Sequence, residues 1–252
     1  MSVVQTIDQI EYPESDGRPM GETDVHIDWM IRLRDILRFR YLGQQVYVGT
    51  NLLVYYVEGE PSRFVVPDDF VVKDCDPRRR RTFKVWEEGR VPNVVFEVTS
   101  RSSRREDQVY KQQIYAQLGV HEYFLYDPTA EYLNPPLQGY RLEGGNYVRI
   151  EPDDSGAIRS DELGVLLRLE RGDLVLVDLQ SGEELMTRAE TAEAARAAAD
   201  AARKAADAAR KAADAARKAA DAARDAAQAR ASHLEAELER LRKEIDRGSR
   251  NP

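Results

Sequence analysis

The sequence lacks most of the residues that build disulfides, zinc centres and membrane spans. It contains one cysteine, Cys75, and three histidines in 252 residues. These counts exclude an internal disulfide and a cysteine-rich zinc site, argue against a multi-histidine zinc centre, and fit a reducing cytoplasm. No run of about 18 apolar residues occurs, and the N-terminus has neither the basic nor the apolar region of a secretory signal. We therefore expect a cytoplasmic protein without a membrane partner, in which any metal ion is bound by oxygen atoms.

The protein is acidic overall, but its charge is unevenly distributed. It has 45 acidic and 37 basic residues, for a net charge of -8. Residues 192–231 carry nine basic and six acidic side chains, so the rest of the chain carries a net charge of -11. Bulk charge therefore gives no support for tight binding to nucleic acid, and any such function depends on local geometry.

The C-terminal part of the chain is rich in alanine and contains an internal repeat. The unit DAARKAA begins at residues 200, 207 and 214, with a decayed copy from 221, and alanine is the best helix former. Large apolar residues then recur at spacings of 4, 3 and 4: Leu234, Leu238, Leu241 and Ile245. A seven-residue period favours a coiled coil, and hence a homo-oligomer assembled through this helix. The alternative is a single solvated helix.

Hydrophobic patterns elsewhere predict a mixed α/β domain with a central sheet flanked by helices. We expect a helix over 24–41, a strand over 45–57, two short apolar runs within 63–72, a strand over 94–99, a helix from the capping box at Ser103 to Leu118, a strand over 122–126 and several short strands beyond. The first helix is expected to bury one apolar side: Ile27, Met30, Ile31, Ile36 and Leu37. We divide the chain into an N-terminal arm (1–19), the α/β domain (20–188), an alanine-rich helical coiled-coil tail (189–247) and a disordered end (248–252).

An acidic residue lies in the middle of the apolar strand VVFEVT. Alternation places Glu97 on one face with Val95 and Thr99, and leaves an apolar face of Val94, Phe96 and Val98. A strand this apolar belongs in the centre of a sheet, where an unpaired carboxylate is costly to bury. Glu97 therefore needs a metal ion, a lysine or an arginine, unless the strand lies at an edge and the carboxylate faces water.

Two further residues complete a candidate catalytic set with Glu97. Lys111 lies on the next predicted helix, four residues after Asp107 and on the same face, so it is a candidate for the cation that faces Glu97. Asp107 is a candidate accessory residue, and the alternative is an ordinary helix ion pair between the two. Asp68 follows the segment VVP, which alone predicts only a turn. Two carboxylates and a lysine suit Mg²⁺-dependent hydrolysis of phosphodiesters, because Mg²⁺ prefers oxygen ligands.

These residues lie in segments that resemble the bacterial Uma-two family, assigned to the restriction endonucleases of the PD-(D/E)XK nuclease superfamily. The matching segments are Pro67-Asp68 with FVV after it, TFKVWEEG, VVFEVTS, the Asp107-to-Lys111 spacing, YAQLGVHEYFLYDP, PPLQGYRL and LGVLLRLERGDLVLVD, which together cover roughly residues 20–190. The resemblance implies a restriction-endonuclease-like fold, with a four-stranded mixed sheet flanked by helices. It also implies Mg²⁺, with Mn²⁺ as a substitute, bound by Asp68, Glu97 and the Val98 carbonyl.

The sequence departs from the superfamily pattern at one catalytic position. The superfamily places its lysine two residues after the strand glutamate, but position 99 is Thr here. In this family the lysine lies on the following helix, which points to Lys111. Asn93 and Asp69 stand where Asp and an apolar residue are usual, and neither is an implied ligand.

The resulting prediction is a Mg²⁺-dependent endonuclease that hydrolyses phosphodiester bonds in DNA. Basic residues near the site are candidates to bind phosphates, with solvated loop charge as the alternative: Arg101, Arg104, Arg105 and the run Arg78–Arg81. The second hypothesis is a non-catalytic assembly or DNA-associated module, oligomerised by its helical tail. The acidic domain and the displaced lysine favour that second reading.

Overall fold

The structure, a computed structural model, describes residues 10–17, 23–100 and 106–248, and the side chains in these ranges except those of 106–108 and 244–248. The predicted N-terminal arm and disordered end lie mostly outside these ranges. The chain divides into two units, Met1–Glu190 and Thr191–Pro252. In chain order the elements are α1 (Asp24–Arg40), β1 (Val46–Thr50), β2 (Val54–Tyr55), β3 (Phe64–Val65), β4 (Asp69–Lys73), β5 (Phe83–Lys84), α2 (Val85–Glu88), β6 (Val94–Val98), a π-helix (Glu106–Lys111), α3 (Gln112–Leu118), β7 (Glu122–Tyr126), β8 (Leu137–Glu143), β9 (Asn146–Arg149), β10 (Ile158–Ser160), β11 (Val165–Glu170), β12 (Asp173–Asp178) and α4 (Arg188–Gly248).

The first unit is built on a mixed central sheet with the strand order β1-β4-β6-β7-β8-β9. The pair β6–β7 is parallel, and the other neighbours in this sheet pair antiparallel. The predicted mixed α/β fold with a central sheet, helices and a long C-terminal helix is confirmed, although this sheet has six strands where the resemblance implied four. Two three-stranded sheets, β10-β11-β12 and β3-β2-β5, complete the described strands.

Hydrophobic residues fill both faces of the central sheet, which makes β6 a buried strand. One core joins the sheet to α1 and the β10-β11-β12 sheet, and it contains Val94, Phe96 and Val98. The other joins the sheet to α3 and the β3-β2-β5 sheet, and it contains Val95. The predicted alternation along β6 is therefore confirmed, and it directs Glu97 toward the α3 side.

Of three sequence-based boundaries, one differs from the structure, one lies outside the described residues and one is confirmed. The strand expected over 45–57 is two strands, because the Asn51 N–H donates to the Pro67 and Asp68 carbonyls (3.1 and 3.0 Å) and the chain turns there, with φ of +46° at Asn51. The predicted helix start at Ser103 lies outside the described residues, and the segment Glu106–Lys111 is a π-helix. The helix ends at Leu118, as predicted, with Gly119 at φ of +83°.

The face of α1 that packs on the sheet is rotated from the predicted one. Ile27 and Ile31 are 40% and 41% exposed, whereas His26 and Leu33 are buried. The buried positions His26, Met30, Leu33 and Leu37 follow i, i+4, i+7 and i+11 spacing, which is one helical face. The prediction was wrong here because it followed the apolar isoleucines and passed over a histidine.

The second unit is formed by α4, a helix of 61 residues that begins in the first unit at Arg188. At a rise of about 1.5 Å per residue it is roughly 90 Å long. Every residue from 192 to 243 is exposed. Whether this helix pairs with a second copy stays a prediction. Within the described ranges, no helix combines the length and the apolar character needed to cross a bilayer.

Candidate active site

Strand pairing brings Asp68 next to Glu97 at one end of the central sheet. In the antiparallel β4–β6 pair, Asp69 is opposite Phe96, so the residue before β4 lies level with Glu97. The Asp68 N–H donates to Glu97 Oε2 (3.4 Å), and Asp68 Oδ2 accepts from the Val98 N–H (2.7 Å). Two carboxylates that are 29 residues apart in sequence therefore lie side by side at one end of the sheet.

Glu97 is a buried carboxylate with a donor on each oxygen. It is 1% exposed in a central strand, so the reading of an edge-strand glutamate that faces water is wrong. Lys111 Nζ donates to Oε2 (2.8 Å), and the Tyr115 hydroxyl donates to Oε1 (2.7 Å). The Lys111 side chain is only 12% exposed. The ammonium therefore supplies the positive charge that a carboxylate at this depth requires.

The two donors to Glu97 come from one face of one helical segment. Lys111 ends the π-helix and Tyr115 lies four residues later in α3, so their side chains project to the same side. Sequence reasoning missed Tyr115, because a tyrosine among apolar helix residues looks like an ordinary core residue. Its spacing from Lys111 was the available signal.

A histidine from α1 contacts the other carboxylate. His26 Nε2 lies 3.2 Å from Asp68 Oδ2, and the two side chains are 4% and 14% exposed. His26 sits in the first turn of α1, where its N–H donates to the Thr23 hydroxyl (3.3 Å). The sequence prediction did not include His26, although its spacing from Met30 and Leu33 places it on the buried face.

Two buried polar groups beside the site have an unusual environment. Thr50 Oγ1 donates to Asp69 Oδ1 (2.5 Å), and burial raises the pKa of the Asp69 carboxyl well above its usual range. Within the described part of the chain, Asp69 Oδ2 and Thr99 Oγ1 are buried without a hydrogen-bond partner. Thr99 is the position where the superfamily pattern has lysine, and its hydroxyl cannot supply a positive charge there.

The side chains of the remaining predicted site residues either lie outside the described part of the chain or belong to the run Arg78–Arg81. Arg101, Arg104 and Arg105 lie outside the described residues, and so does the side chain of Asp107. Within the run Arg78–Arg81, the Arg80 side chain contacts other side chains of the same unit. Its guanidinium pairs with Glu88 (2.7 Å) and lies 4.2 Å from the centre of the Tyr47 ring. The same carboxylate binds Arg78 (3.0 Å), whose side chain is 57% exposed. Arg78, Arg79 and Arg81 are exposed, and phosphate binding by this run stays a prediction.

The donor set fits a hard divalent cation that keeps part of its water shell. Asp68 and Glu97 offer two carboxylates, and Val98 ends β6 beside them. Among residues 10–17, 23–100 and 106–248, no group of three or more His, Cys, Asp or Glu side chains is arranged to hold a metal ion. Mg²⁺ commonly uses only one or two carboxylates together with waters and substrate oxygens, so two acids are enough for it. The Val98 carbonyl as a third ligand stays a prediction.

Comparison with known proteins gives a family match and a likeness to solved structures. The family model described as "Uma2: Putative restriction endonuclease" matches residues 7–175. A crystal structure of "a putative nuclease belonging to DUF820" from Anabaena variabilis has 14% sequence identity and a TM-score of 0.42, covering 56% of this chain and 74% of that chain. Similarity at this level carries no argument about the site. No curated protein matches the chain significantly.

Proposed function

The chain belongs to the Uma2 family of putative restriction endonucleases, whose model matches more than half of its length, and from this membership and the site geometry we propose a metal-dependent endonuclease. The proposed reaction is hydrolysis of a phosphodiester bond in DNA. A water oxygen forms a bond to phosphorus, the bond from phosphorus to one sugar oxygen breaks, and the products are a phosphate monoester and a free hydroxyl.

The observation that carries the proposal is the buried Glu97–Lys111 pair beside Asp68. A buried ion pair is a poor source of stability, because desolvation of both charges offsets most of their attraction. Apolar side chains would fill the same space at no such cost. Glu97 lies in a central strand, with Asp68 level with it and the Lys111 ammonium bound to it. This arrangement therefore supports a chemical role for the three residues.

Each side chain has a specific part in the proposed mechanism. Asp68 and Glu97 would hold Mg²⁺ or Mn²⁺ with the Val98 carbonyl, and the ion, when bound, polarises a phosphoryl oxygen and lowers the pKa of water. The Val98 N–H holds the Asp68 carboxylate at 2.7 Å. The Lys111 ammonium is held beside Glu97, because only 12% of the Lys111 side chain is exposed. Its ammonium would orient the attacking water and offset the negative charge that develops on the phosphate oxygens.

The central experiment is a nicking assay on supercoiled plasmid DNA with Mn²⁺ or Mg²⁺. We expect the wild type to nick the plasmid and Lys111→Ala to lose this activity while it keeps its fold by circular dichroism. Loss of one charge-stabilising group of this kind commonly costs about 100–1,000-fold in rate. Lys84→Ala is the matched control, because Lys84 pairs with Glu87 on the surface (2.9 Å) away from these acids. Cleavage retained by Lys111→Ala would place the catalytic cation elsewhere.

A non-catalytic assembly or DNA-associated module is the second candidate. It is favoured by the absence of a lysine directly after β6, where position 99 is Thr, and by the acidic balance of the chain. Isothermal calorimetry with Mg²⁺ and Mn²⁺ separates the two functions. A protein that binds neither ion, and still retards DNA in a gel, would be a binding module and not a nuclease.

The proposal also assigns homo-oligomerisation to α4. Its C-terminal part exposes large apolar residues at coiled-coil spacing, and Leu234, Leu238 and Leu241 are 58%, 56% and 49% exposed. Side chains of this size on a solvent-facing helix gain the most from burial against another helix. A second copy of the chain presents the same stripe and is the partner that we propose.

A further inference from the structure

The orientation of Glu97 is set by hydrogen bonds to both of its carboxylate oxygens, and besides the Asp68 N–H on Oε2 (3.4 Å) two side chains donate to it. Lys111 Nζ binds Oε2 at 2.8 Å, and the Tyr115 hydroxyl binds Oε1 at 2.7 Å. A single donor would leave the carboxylate free to rotate about its last bond. Two donors on separate oxygens, both carried by the same helical segment, define the plane of the carboxylate.

Tyr115 is itself held firmly in the core. It is 1% exposed, and its ring lies 5.4 Å from the ring of Tyr123 on β7. It belongs to the same apolar cluster as Val95, which neighbours Glu97 on that face of β6. Its ring therefore cannot swing away, and its hydroxyl meets Glu97 at a fixed place.

We propose that Tyr115 is a positioning residue that raises the affinity of the site for a divalent cation. By holding Oε1, its hydroxyl keeps the Glu97 carboxylate in the orientation in which Oε2 faces Asp68, whose N–H lies 3.4 Å away. Outer hydrogen-bond partners of metal-binding side chains typically contribute about 10–100-fold to metal affinity or activity. This inference rests on the proposed function, because it requires that Asp68 and Glu97 bind a metal ion.

The test is a calorimetric titration of the full chain with Mn²⁺, comparing the wild type with Tyr115→Phe. Phe keeps the ring and its packing and removes only the hydroxyl. We expect the dissociation constant for Mn²⁺ to rise about 10–100-fold in the variant. In the nicking assay, the Mn²⁺ concentration for half-maximal activity should rise by a similar factor, while activity at saturating Mn²⁺ recovers toward the wild-type level.

Tyr126→Phe is the matched control for loss of a buried tyrosine hydroxyl. Tyr126 is also 1% exposed, and its hydroxyl donates to the Gly172 carbonyl (2.9 Å) on the other side of the sheet. Both variants should show a comparable fall in melting temperature, because each loses one buried hydroxyl hydrogen bond. A purely structural role of Tyr115 would produce this fall as well. Only Tyr115→Phe should weaken Mn²⁺ binding.

The outcomes separate this inference from the function on which it rests. Equal Mn²⁺ affinity in the wild type and Tyr115→Phe would overturn the positioning role and leave the nuclease proposal standing. Equal weakening in Tyr126→Phe would also overturn it, because the effect would then follow from general destabilisation. A wild type that binds no Mn²⁺ would remove both proposals.

Discussion

The two units of this protein use charged residues in opposite ways. In the first unit, charges are buried against individual partners, as in Glu97 with Lys111 (2.8 Å) and Glu122 with Arg141 (3.1 Å). In the second, charges lie along an exposed helix, and Lys243 with Glu239 is a surface pair whose side chains are 72% and 69% exposed. Charge thus forms specific buried contacts in the first unit and lies on an exposed helix surface in the second.

The physical reason for the difference is solvation. A buried charge that loses its partner stays desolvated, which costs about 3–5 kcal/mol. An exposed charge that loses its partner is solvated by water, and such pairs contribute only about 0.2–1 kcal/mol. Single substitutions should therefore have large and specific effects in the first unit and small ones in the second.

The largest effect is expected from Glu97→Ala. The variant should lose Mg²⁺ and Mn²⁺ binding, and the first unit should be destabilised by about 3–5 kcal/mol because the Lys111 ammonium is left buried without the carboxylate. Binding is measured by calorimetry. Stability is measured by urea unfolding followed by tryptophan fluorescence, which reports the first unit alone because Trp29 and Trp86 both lie in it.

The matched variant in the second unit is Glu239→Gln. It removes an exposed ion pair between residues four apart, so helix stability should fall by no more than about 0.5 kcal/mol when followed by circular dichroism. If Glu97→Ala were as mild as Glu239→Gln, the contrast between buried and exposed charge would fail, and the case for Glu97 as a site residue would weaken with it.

Truncation after Glu190 tests whether the two units are separable. The shortened chain keeps Arg32 paired with Glu190 and the Thr187 N–H donating to Glu190 (2.8 Å). We expect it to fold, with fluorescence-detected unfolding close to that of the full chain. Light scattering should show an oligomer for the full chain and a monomer for the truncated one. The same oligomeric state in both would remove the coiled-coil proposal.

The same comparison shows which features could be predicted from the sequence. Strand alternation predicts Glu97 and helix spacing predicts Lys111, whereas Asp68 is predicted from its combination with these two and from the family resemblance. The structure brings the three together. α4 was readable because its repeat is long and regular. His26 and Tyr115 were not, since a polar group on a mostly apolar face gives no sign that it turns toward a carboxylate.

Backbone features were also beyond the sequence pattern. The π-helix that ends at Lys111 changes only the register of backbone hydrogen bonds, which no residue type marks. The strands β2, β3 and β5 have two residues each, which is too short for a period to appear. The break at Asn51 depends on carbonyls of residues 67 and 68, and such long-range contacts are invisible along the chain.

A pH-dependent effect is expected from Asp178→Asn in the first unit. Backbone N–H groups, that of Ser181 first, and the Arg40 guanidinium (2.6 Å) lower the pKa of Asp178 to about 2 from an ordinary 3.8. Because the folded pKa is depressed, the ionised carboxylate stabilises the fold above about pH 4, and this stabilisation is lost as pH falls toward 2. Asp178→Asn should therefore be less stable than the wild type at pH 7.

The difference between the two proteins should shrink as pH falls from 4 to 2, when unfolding is followed by tryptophan fluorescence. Asp207→Asn, on exposed α4, is the matched control and should leave this unfolding unchanged at every pH. A stability difference for Asp178→Asn that stays constant down to pH 2 would show that the amide disturbs packing. The contacts of Arg40 and the backbone N–H groups would then not stabilise the fold through the charge of Asp178. The contribution of partnered carboxylates to stability would then differ less between the first unit and α4 than we infer.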